Sequence, residues 1–401
     1  MTVLVAGAGP AGARLAIRLA EAGEQVLLVD PLTDPHRNAY SSAAVPTRDA
    51  LQLEIPVDCW GCQWNGWQLF DPEGMTHQWW ADESLGVVLD FGRLRAALWE
   101  QACRAGVHLI TGCRVALNEL SDHGATVVLR TGRRSSERRT VRWLVDATGS
   151  QRMLLRQAGV PVETRNDPLL KGEGVEWLFQ ADDRRSAPWR DRLSFFLGSR
   201  WVCHGYGWVF PMDQHRLKVG ICRLPPPSSP GVSALGSCLK RLIRHCDLDS
   251  LTVLDRHGGL VSSPVRRAQS LGLGCLLAVG DAAGTCNLLG GEGLRHALRS
   301  ADLLAAVLIG ERTTPCKRDC LISHYSSRLH QVLGWRWGIS GRLARRTWWG
   351  LDAPPADRRM LRLIDALSRN ADAKDLSQLL FDYRFERYGP RLLPYVVCGS
   401  R

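Results

Sequence analysis

Two glycine-rich stretches, GAGPAG at 7–12 and GDAAGTCNLLGGEGL at 280–294, hold the residue types that could do chemistry in this chain. In the first, Gly7 allows a tight turn, Gly9 lets a pyrophosphate approach the backbone, and Gly12 lets a helix pack close to its strand. Pro10 and Ala11 open that helix, whose free N–H groups and positive dipole end suit phosphate. Asp30 closes the next apolar strand and is placed to accept both hydroxyls of an adenosine ribose. The second stretch sets Glu292 where a helix should start. It reads either as an unrelated loop or as the far end of one extended ligand gripped by both turns.

The elements that must position these turns follow from periodicity. TVLVAG is a short buried strand, PAGARLAIRLAEAG carries apolar residues at helical spacing up to Gly23, and QVLLVD is a second buried strand. The order β, α, β makes the strands parallel and the crossover right-handed. A helix is predicted over 91–105, with strands at 107–110, 113–119, 125–130 and 139–146. Longer strands follow over 172–223, PPPSSP at 225–230 marks an exposed loop, and a helix is expected near 233–245. CLLAVGD from 275 is again a buried strand, GEGLRHALRSADLLAAVL again a helix, and past 311 the chain turns helical and rich in Arg and Trp. No internal repeat is visible.

With 401 residues, 45% apolar and 23% charged, the chain can bury a large core in two or three domains. No secretory signal follows Met1, and no apolar run reaches transmembrane length. Thirteen scattered cysteines are expected to be reduced in a cytoplasmic protein, and CWGC (Cys59, Cys62) reads as structural because nothing completes a redox or zinc motif. The net charge of +11 comes almost wholly from arginine and implies an anionic partner, whether lipid surface or acidic protein. No nucleic-acid motif accompanies it, so nucleic acid is not expected as a partner.

The glycine turn at 7–12, D-A-T-G at 146–149 and G-D-A-A at 280–283 together resemble the FAD-binding signature of the flavoprotein hydroxylase and geranylgeranyl reductase superfamily, over roughly residues 1–310. The resemblance implies one extended FAD, its adenine end at the first turn and its isoalloxazine end at the second. It implies that Asp281 holds the ribitol chain and that Arg93 of FGRLRAAL reaches the pyrophosphate, and it adds Val115, Asp146, Gly149 and Gly280 to the cofactor site. A helix starting over 290–294 would point N–H groups at the negative charge of a reduced flavin, with Gly290, Gly291 and Gly293 keeping side chains away. Glu292 is then either an acid with a raised pKa or a charge partner of the helix end.

Within the superfamily, GGEGLRHALRSAD and HGYGWVFPM at 204–212 look like the geranylgeranyl reductase branch, and Gly284 stands where hydroxylases usually show histidine. Tyr206 and Trp208 are expected to face the pocket. Leu288 replaces that branch's proline, and YSSAAVP at 40–46 replaces its cysteine-bearing turn. The implied fold is α/β. A Rossmann-type FAD-binding domain (1–45, 86–165 and 265–310) carries an inserted, mainly antiparallel β-sheet substrate domain (46–85 and 166–264) and a helical C-terminal region (311–401).

The implied activity is hydride transfer from reduced flavin to a C=C bond of an isoprenoid or polyene, with a proton from Glu292, Tyr206 or water and Trp208 lining the site. Alternatives are a lycopene-cyclase-like redox-neutral flavoprotein, an FAD-dependent monooxygenase, and a flavin-binding membrane partner without turnover. A halogenase would need an early lysine, and none precedes Lys171. Only one dinucleotide-type turn is present, so electrons are expected from transiently bound NADPH or from reduced ferredoxin, an acidic carrier that the basic charge would steer. The segment RLHQVLGWRWGISGRLARRTWW at 328–349 interleaves Trp with Arg, which suits a broken amphipathic element on an anionic membrane surface or, equally, a core cap with a solvated arginine face.

Overall fold

The computed structural model describes residues 2–37, 41–132, 135–161, 169–226, 234–265, 269–313 and 317–385. The expectations for residues 227–230 of the exposed loop, for Tyr40 and for 386–401 of the tail lie outside the described residues.

The apolar runs that do not alternate become a sheet buried on both faces. Its six strands run in the order Gly272–Leu273, Leu276–Ala278, Trp143–Asp146, Thr2–Ala6, Gln25–Val29 and His108–Ile110. All neighbours are parallel except the first two, which form a hairpin. Helix Pro10–Glu21 makes the crossover and lays Leu15, Ile17 and Leu19 into the core, where truncating Leu15 to Ala would cost ~2–5 kcal/mol. Helices Phe91–Arg104 and Leu294–Thr313 pack beside it. Two glycines set how close this layer comes. Gly7 has φ +109°, and a Cβ there would lie 2.3 Å from the Ala147 carbonyl oxygen, whereas one on Gly12 would lie 1.9 Å from that of Gly7.

The predicted strand 139–146 divides in two. Ser135–Val141, almost wholly exposed, closes a meander with Cys113–Leu120 and Ala125–Thr131, and Trp143–Asp146, wholly buried, joins the parallel sheet. Polarity decides the break, because a run of Ser, Glu and Arg cannot enter a sheet covered on both faces.

The second sheet has seven strands in the order Thr252–Pro264, Leu169–Gln180, Arg216–Arg223, Gly205–Pro211, Arg192–Leu197, Gly66–Phe70 and Thr76–Trp80. One face is aromatic, with Trp67 stacked on Phe195 at 5.9 Å and Phe195 against Tyr206 at 5.8 Å. Helix Leu235–His245 buries Leu239, Leu242 and Ile243 in a separate core that includes Phe196, Val219 and Ile221.

The expected division into three parts crosses real contacts. Ala44–Pro46, Gly86–Leu89 and Trp60–Trp64 form one small sheet, so the boundaries at 45/46 and 85/86 run through it. The C-terminal helices Pro354–Asn370 and Ala373–Phe381 lie on the antiparallel sheet, with the Trp67 indole N–H donating to Ser377 at 3.1 Å. Helix Arg318–Trp349 breaks at Gly334 (φ 73°, ψ 170°), where a segment weakened by glycines is expected to break. Trp337 and Trp348 are buried in the core, whereas Trp335 is 62% exposed beneath the Arg336 guanidinium. Trp348 packs on the Tyr206 ring at 5.1 Å and donates to the Leu288 carbonyl at 3.1 Å. Half of the tail's tryptophans therefore close the structure and do not face solvent.

Candidate functional site

Between the two sheets, at the carboxyl ends of the parallel strands, lies a cavity of 870 Å³. Both glycine turns reach it: Gly9, Pro10 and Ala11 from the first, and Gly280, Asp281, Gly290, Gly291, Glu292 and Gly293 from the second. Gly149 of the D-A-T-G turn lines it as well, and Tyr206 and Trp208 form its wall on the antiparallel sheet. Turns distant in sequence thus meet in one space, which lies at the position where open α/β sheets bind ligands.

The cavity suits a dinucleotide on three observations. A Cβ built on Gly9 meets no atom within 4 Å, so the space before the helix N-terminus is kept open. Asp281 faces the cavity, and its carboxylate accepts no hydrogen bond from the described residues; burial pushes its pKa up to about 6. A ligand hydroxyl would supply the missing donor. Gly291 has φ +66°, and a Cβ on it would lie 2.7 Å from the Tyr206 hydroxyl, so the second turn and the aromatic wall touch only because no side chain intervenes.

Other expected cofactor residues are used differently. Asp30 is buried and accepts the amides of Ala8 at 2.6 Å and Leu32 at 2.8 Å, which tie the first turn to the strand end. Burial pushes its pKa up against the pull of those amides. Arg93 does not reach the cavity wall. Two carboxylates hold its side chain, Asp213 at 2.9 Å and Asp90 at 3.7 Å, and Asp90 also caps the helix by accepting the Arg93 amide at 3.1 Å. Val115 pairs with Leu129 in the meander and lies off the wall. Asp146 is fully buried and saturated, accepting the Thr148 amide and hydroxyl and the amides of Leu154 and Leu155 at 2.6–3.0 Å. It builds the turn that presents Gly149 and has no capacity left for a ligand.

Glu292 lines the cavity but its carboxylate is occupied. Arg295 binds both oxygens, His296 stands at 3.4 Å, and the Tyr383 hydroxyl donates at 2.7 Å. Arg295 continues to Asp49 and to the Phe381 carbonyl, each at 2.7 Å. Burial opposes ionisation of Glu292, but the Arg295 guanidinium and His296 together outweigh it and hold the carboxyl well below the usual carboxylate range. Of the two readings of Glu292, the acid with a raised pKa is not met, because a carboxylate locked to a buried guanidinium stays ionised. The helix itself begins at Leu294, with Asn287 and Glu292 exchanging two backbone hydrogen bonds across the turn.

Tyr206 and Trp208 stand where expected, and burial raises the Tyr206 phenol well above its ordinary range. The Trp208 indole N–H donates to Glu176 at 2.7 Å. Glu176, 3% exposed, also pairs with His257 at 3.1 Å and accepts the Ser42 hydroxyl. Sequence reasoning missed this cluster, because Glu176, His257 and Ser42 come from three distant segments, and only Ser42 falls in a stretch the sequence singles out, YSSAAVP. Within its own strand, Glu176 is buried while its neighbours Val175 and Trp177 are only half-buried.

The fold and the cavity define an α/β flavoprotein, with a mainly parallel sheet facing an antiparallel one. The profile of the family described as FAD dependent oxidoreductase matches residues 66–307, and the chain belongs to that family; it is an FAD-dependent enzyme. It is similar to the digeranylgeranylglycerophospholipid reductase of Methanothrix thermoacetophila, 28% identical over 318 residues (76% of this chain, 77% of that one). Digeranylgeranylglycerophospholipid reductase 2 of Methanopyrus kandleri is 29% identical over 350 residues, 83% of each chain. Among solved structures, a geranylgeranyl bacteriochlorophyll reductase-like protein from Thermoplasma acidophilum superposes with a TM-score of 0.82 at 20% identity, covering 98% of both chains. A p-nitrophenol 4-monooxygenase from Pseudomonas putida gives 0.72 at 15% identity, covering 95% of this chain and 96% of that one. Among the described residues, no helix is long and apolar enough to cross a membrane.

Proposed function

We propose that this enzyme reduces C=C bonds of an isoprenoid lipid. The observation that carries the reading is the contact of the Tyr206 hydroxyl with the Gly291 turn, which sets an aromatic wall of Tyr206, Trp208 and Phe210 against the turn that the resemblance assigns to the isoalloxazine. When bound, the reduced cofactor supplies a hydride. Gly9 and the N-terminus of helix Pro10–Glu21 hold its pyrophosphate, Asp281 its ribitol hydroxyls, and the apolar wall aligns the polyene and excludes water. The names of the two archaeal relatives support a substrate of this class.

Electrons come from reduced nicotinamide or from an acidic iron–sulfur carrier, which the net charge of +11 would steer. Exposed Val332 and Trp335, with Arg336 over the Trp335 ring, would touch a cytoplasmic membrane surface from which the lipid is drawn. The test is anaerobic: holoenzyme reduced by dithionite is mixed with digeranylgeranylglycerophospholipid in detergent micelles. Loss of the reduced-flavin spectrum together with a gain of two hydrogens per bond in the lipid's mass is the expected result. Unchanged lipid mass overturns the reading, and cyclised lipid of unchanged mass or oxygen uptake in air would favour a cyclase or a monooxygenase.

A further inference from the structure

The cavity wall carries a polar device that the proposed reaction leaves unused. On the antiparallel sheet, Glu176 sits in the centre of a strand with 3% exposure. One of its oxygens faces the His257 ring nitrogen Nε2 at 3.1 Å, and the other accepts both the Ser42 hydroxyl and the Trp208 indole N–H. The other His257 nitrogen, Nδ1, faces the Asp255 carboxylate at 3.1 Å, and that carboxylate is 46% exposed. Ser42, Glu176 and His257 all line the cavity. The result is an unbroken hydrogen-bonded line from solvent, through Asp255, His257 and Glu176, to a hydroxyl at the cavity wall.

Lys218 fixes the inner end. Its ammonium is 6% exposed and donates to the carbonyls of Ser41, Ser42 and Leu89 at 3.1, 3.2 and 2.9 Å, so the loop bearing Ser42 is pinned. A buried carboxylate with two cationic neighbours is a poor way to stabilise a sheet, since well-packed apolar residues do as well or better. Meanwhile the proposed reduction needs one proton per hydride, and Glu292 is locked to Arg295.

We propose that Asp255, His257, Glu176 and Ser42 are the line that supplies this proton, with Ser42 Oγ as the donor at the cavity and the other three as positioning and relay residues. The proposal rests on the reductase reading above. In the step, the hydride supplied with the cofactor forms one C–H bond, and the π pair of the broken C=C takes the Ser42 hydroxyl proton to form the second. Ser42 regains a proton from Glu176, Glu176 from the His257 imidazolium, and the neutral imidazole from solvent past Asp255. A reduced nicotinamide or iron–sulfur carrier restores the two electrons. Burial opposes the charge on His257, but Glu176 and Asp255 outweigh it and raise the imidazole above its ordinary range, as a proton store requires. Glu176, in turn, is held low by His257 and Lys218 against its own burial.

Two measurements test the line in the full-length protein. The first reads no turnover: ¹⁵N-histidine NMR, with the His257 signal assigned through His257→Gln, follows the ring through a pH titration. The wild-type ring is expected to titrate above the ordinary histidine range, to fall back in Glu176→Gln, and to stay in place in Ser42→Ala. The groups acting on it are Glu176, Asp255 and, through Glu176, Lys218. The second is the anaerobic single turnover with digeranylgeranylglycerophospholipid micelles. Ser42→Ala and Glu176→Gln are expected to slow it about a hundredfold and to change its solvent deuterium isotope effect, with FAD content and FAD affinity unchanged.

A His257 titration identical in wild type and Glu176→Gln overturns the line, as does a wild-type rate in Ser42→Ala. A wild-type holoenzyme that leaves the lipid unsaturated overturns the reductase reading and the relay with it, and the NMR titration then shows separately whether the His257–Glu176 pairing stands.

Discussion

Two aspartates follow adjacent parallel strands of the same sheet, Asp146 as the last residue of Trp143–Asp146 and Asp281 in the turn after Leu276–Ala278, and they do opposite work. After Asp146 the chain doubles back through Thr148 and Arg152 (φ 48°) into helix Met153–Gln157, which aims the Leu154 and Leu155 amides at the carboxylate. After Asp281 it closes a short turn at Gly284 (φ 66°), whose amide goes to the Asp281 backbone carbonyl and leaves the carboxylate facing the cavity. The first acid is saturated by its own chain, and the second accepts no hydrogen bond from the described residues. A functional carboxylate is recognised by the donors it lacks.

The largest effect is expected beyond both strand ends, at the acid locked most tightly. Glu292→Gln strips Arg295 of its bidentate partner and should cost ~3–5 kcal/mol in chemical denaturation. An unchanged melting temperature would mean that Arg295 relies on Asp49 and leaves Glu292 open for chemistry. Asp146→Asn turns an NH₂ toward amides that need an acceptor, and should cost ~2–3 kcal/mol with FAD content falling only as far as folding does.

Asp281→Asn should reverse that pattern: at neutral pH apoprotein stability is kept or raised, while FAD affinity measured by flavin fluorescence falls about tenfold. If instead Asp281→Asn destabilises the apoprotein and Asp146→Asn selectively weakens FAD, the contrast is broken. The same contrast has a pH signature. Burial raises the Asp281 pKa to about 6 from ~3.9 in an unfolded chain, so it favours the folded apoprotein below about pH 4 and loses that contribution as pH rises through 6. The stability of wild type relative to Asp281→Asn should therefore fall between those values, and a flat difference would place Asp281 in water.

The smallest effect belongs to the tail. Changing Trp335 and Arg336 to Ser should weaken flotation with anionic liposomes at low salt by about 1 kcal/mol for the arginine plus the indole's share. Trp348→Ser should instead damage the Tyr206 wall and melt the protein earlier. Equal flotation of wild type and the Trp335 variant would remove the membrane from the proposal.

Much of the frame is legible in the residues. GAGPAG, DATGS and GDAAG carry strand–turn–helix signals at short range, so the turns, their parallel strands and the helix after Gly293 follow from local pattern. The side chains around them are less legible. Arg93 sits one turn into a helix, as expected of a pyrophosphate ligand, yet Asp213 from the other sheet captures it. In RLHQVLGWRWGISGRLARRTWW, spacing marks the break at Gly334 but leaves open which tryptophans turn inward.

By itself, then, the sequence determined the parallel strand–turn–helix units around the glycine turns and the aromatic strand at 205–211, because each depends on backbone conformation and on periodicity within a few residues, whereas the meeting of the two glycine turns was implied only by the resemblance. Only the tertiary structure decided which carboxylates remain available. Asp146 is saturated by its own turn and helix, Glu292 is locked by Arg295 and Tyr383, Asp281 faces the cavity, and Glu176 meets His257 on the neighbouring strand and Ser42 from a separate loop. The reason is physical: a buried polar group is defined by the partners it finds, and those partners arrive from segments whose distance along the chain says nothing of their distance in space.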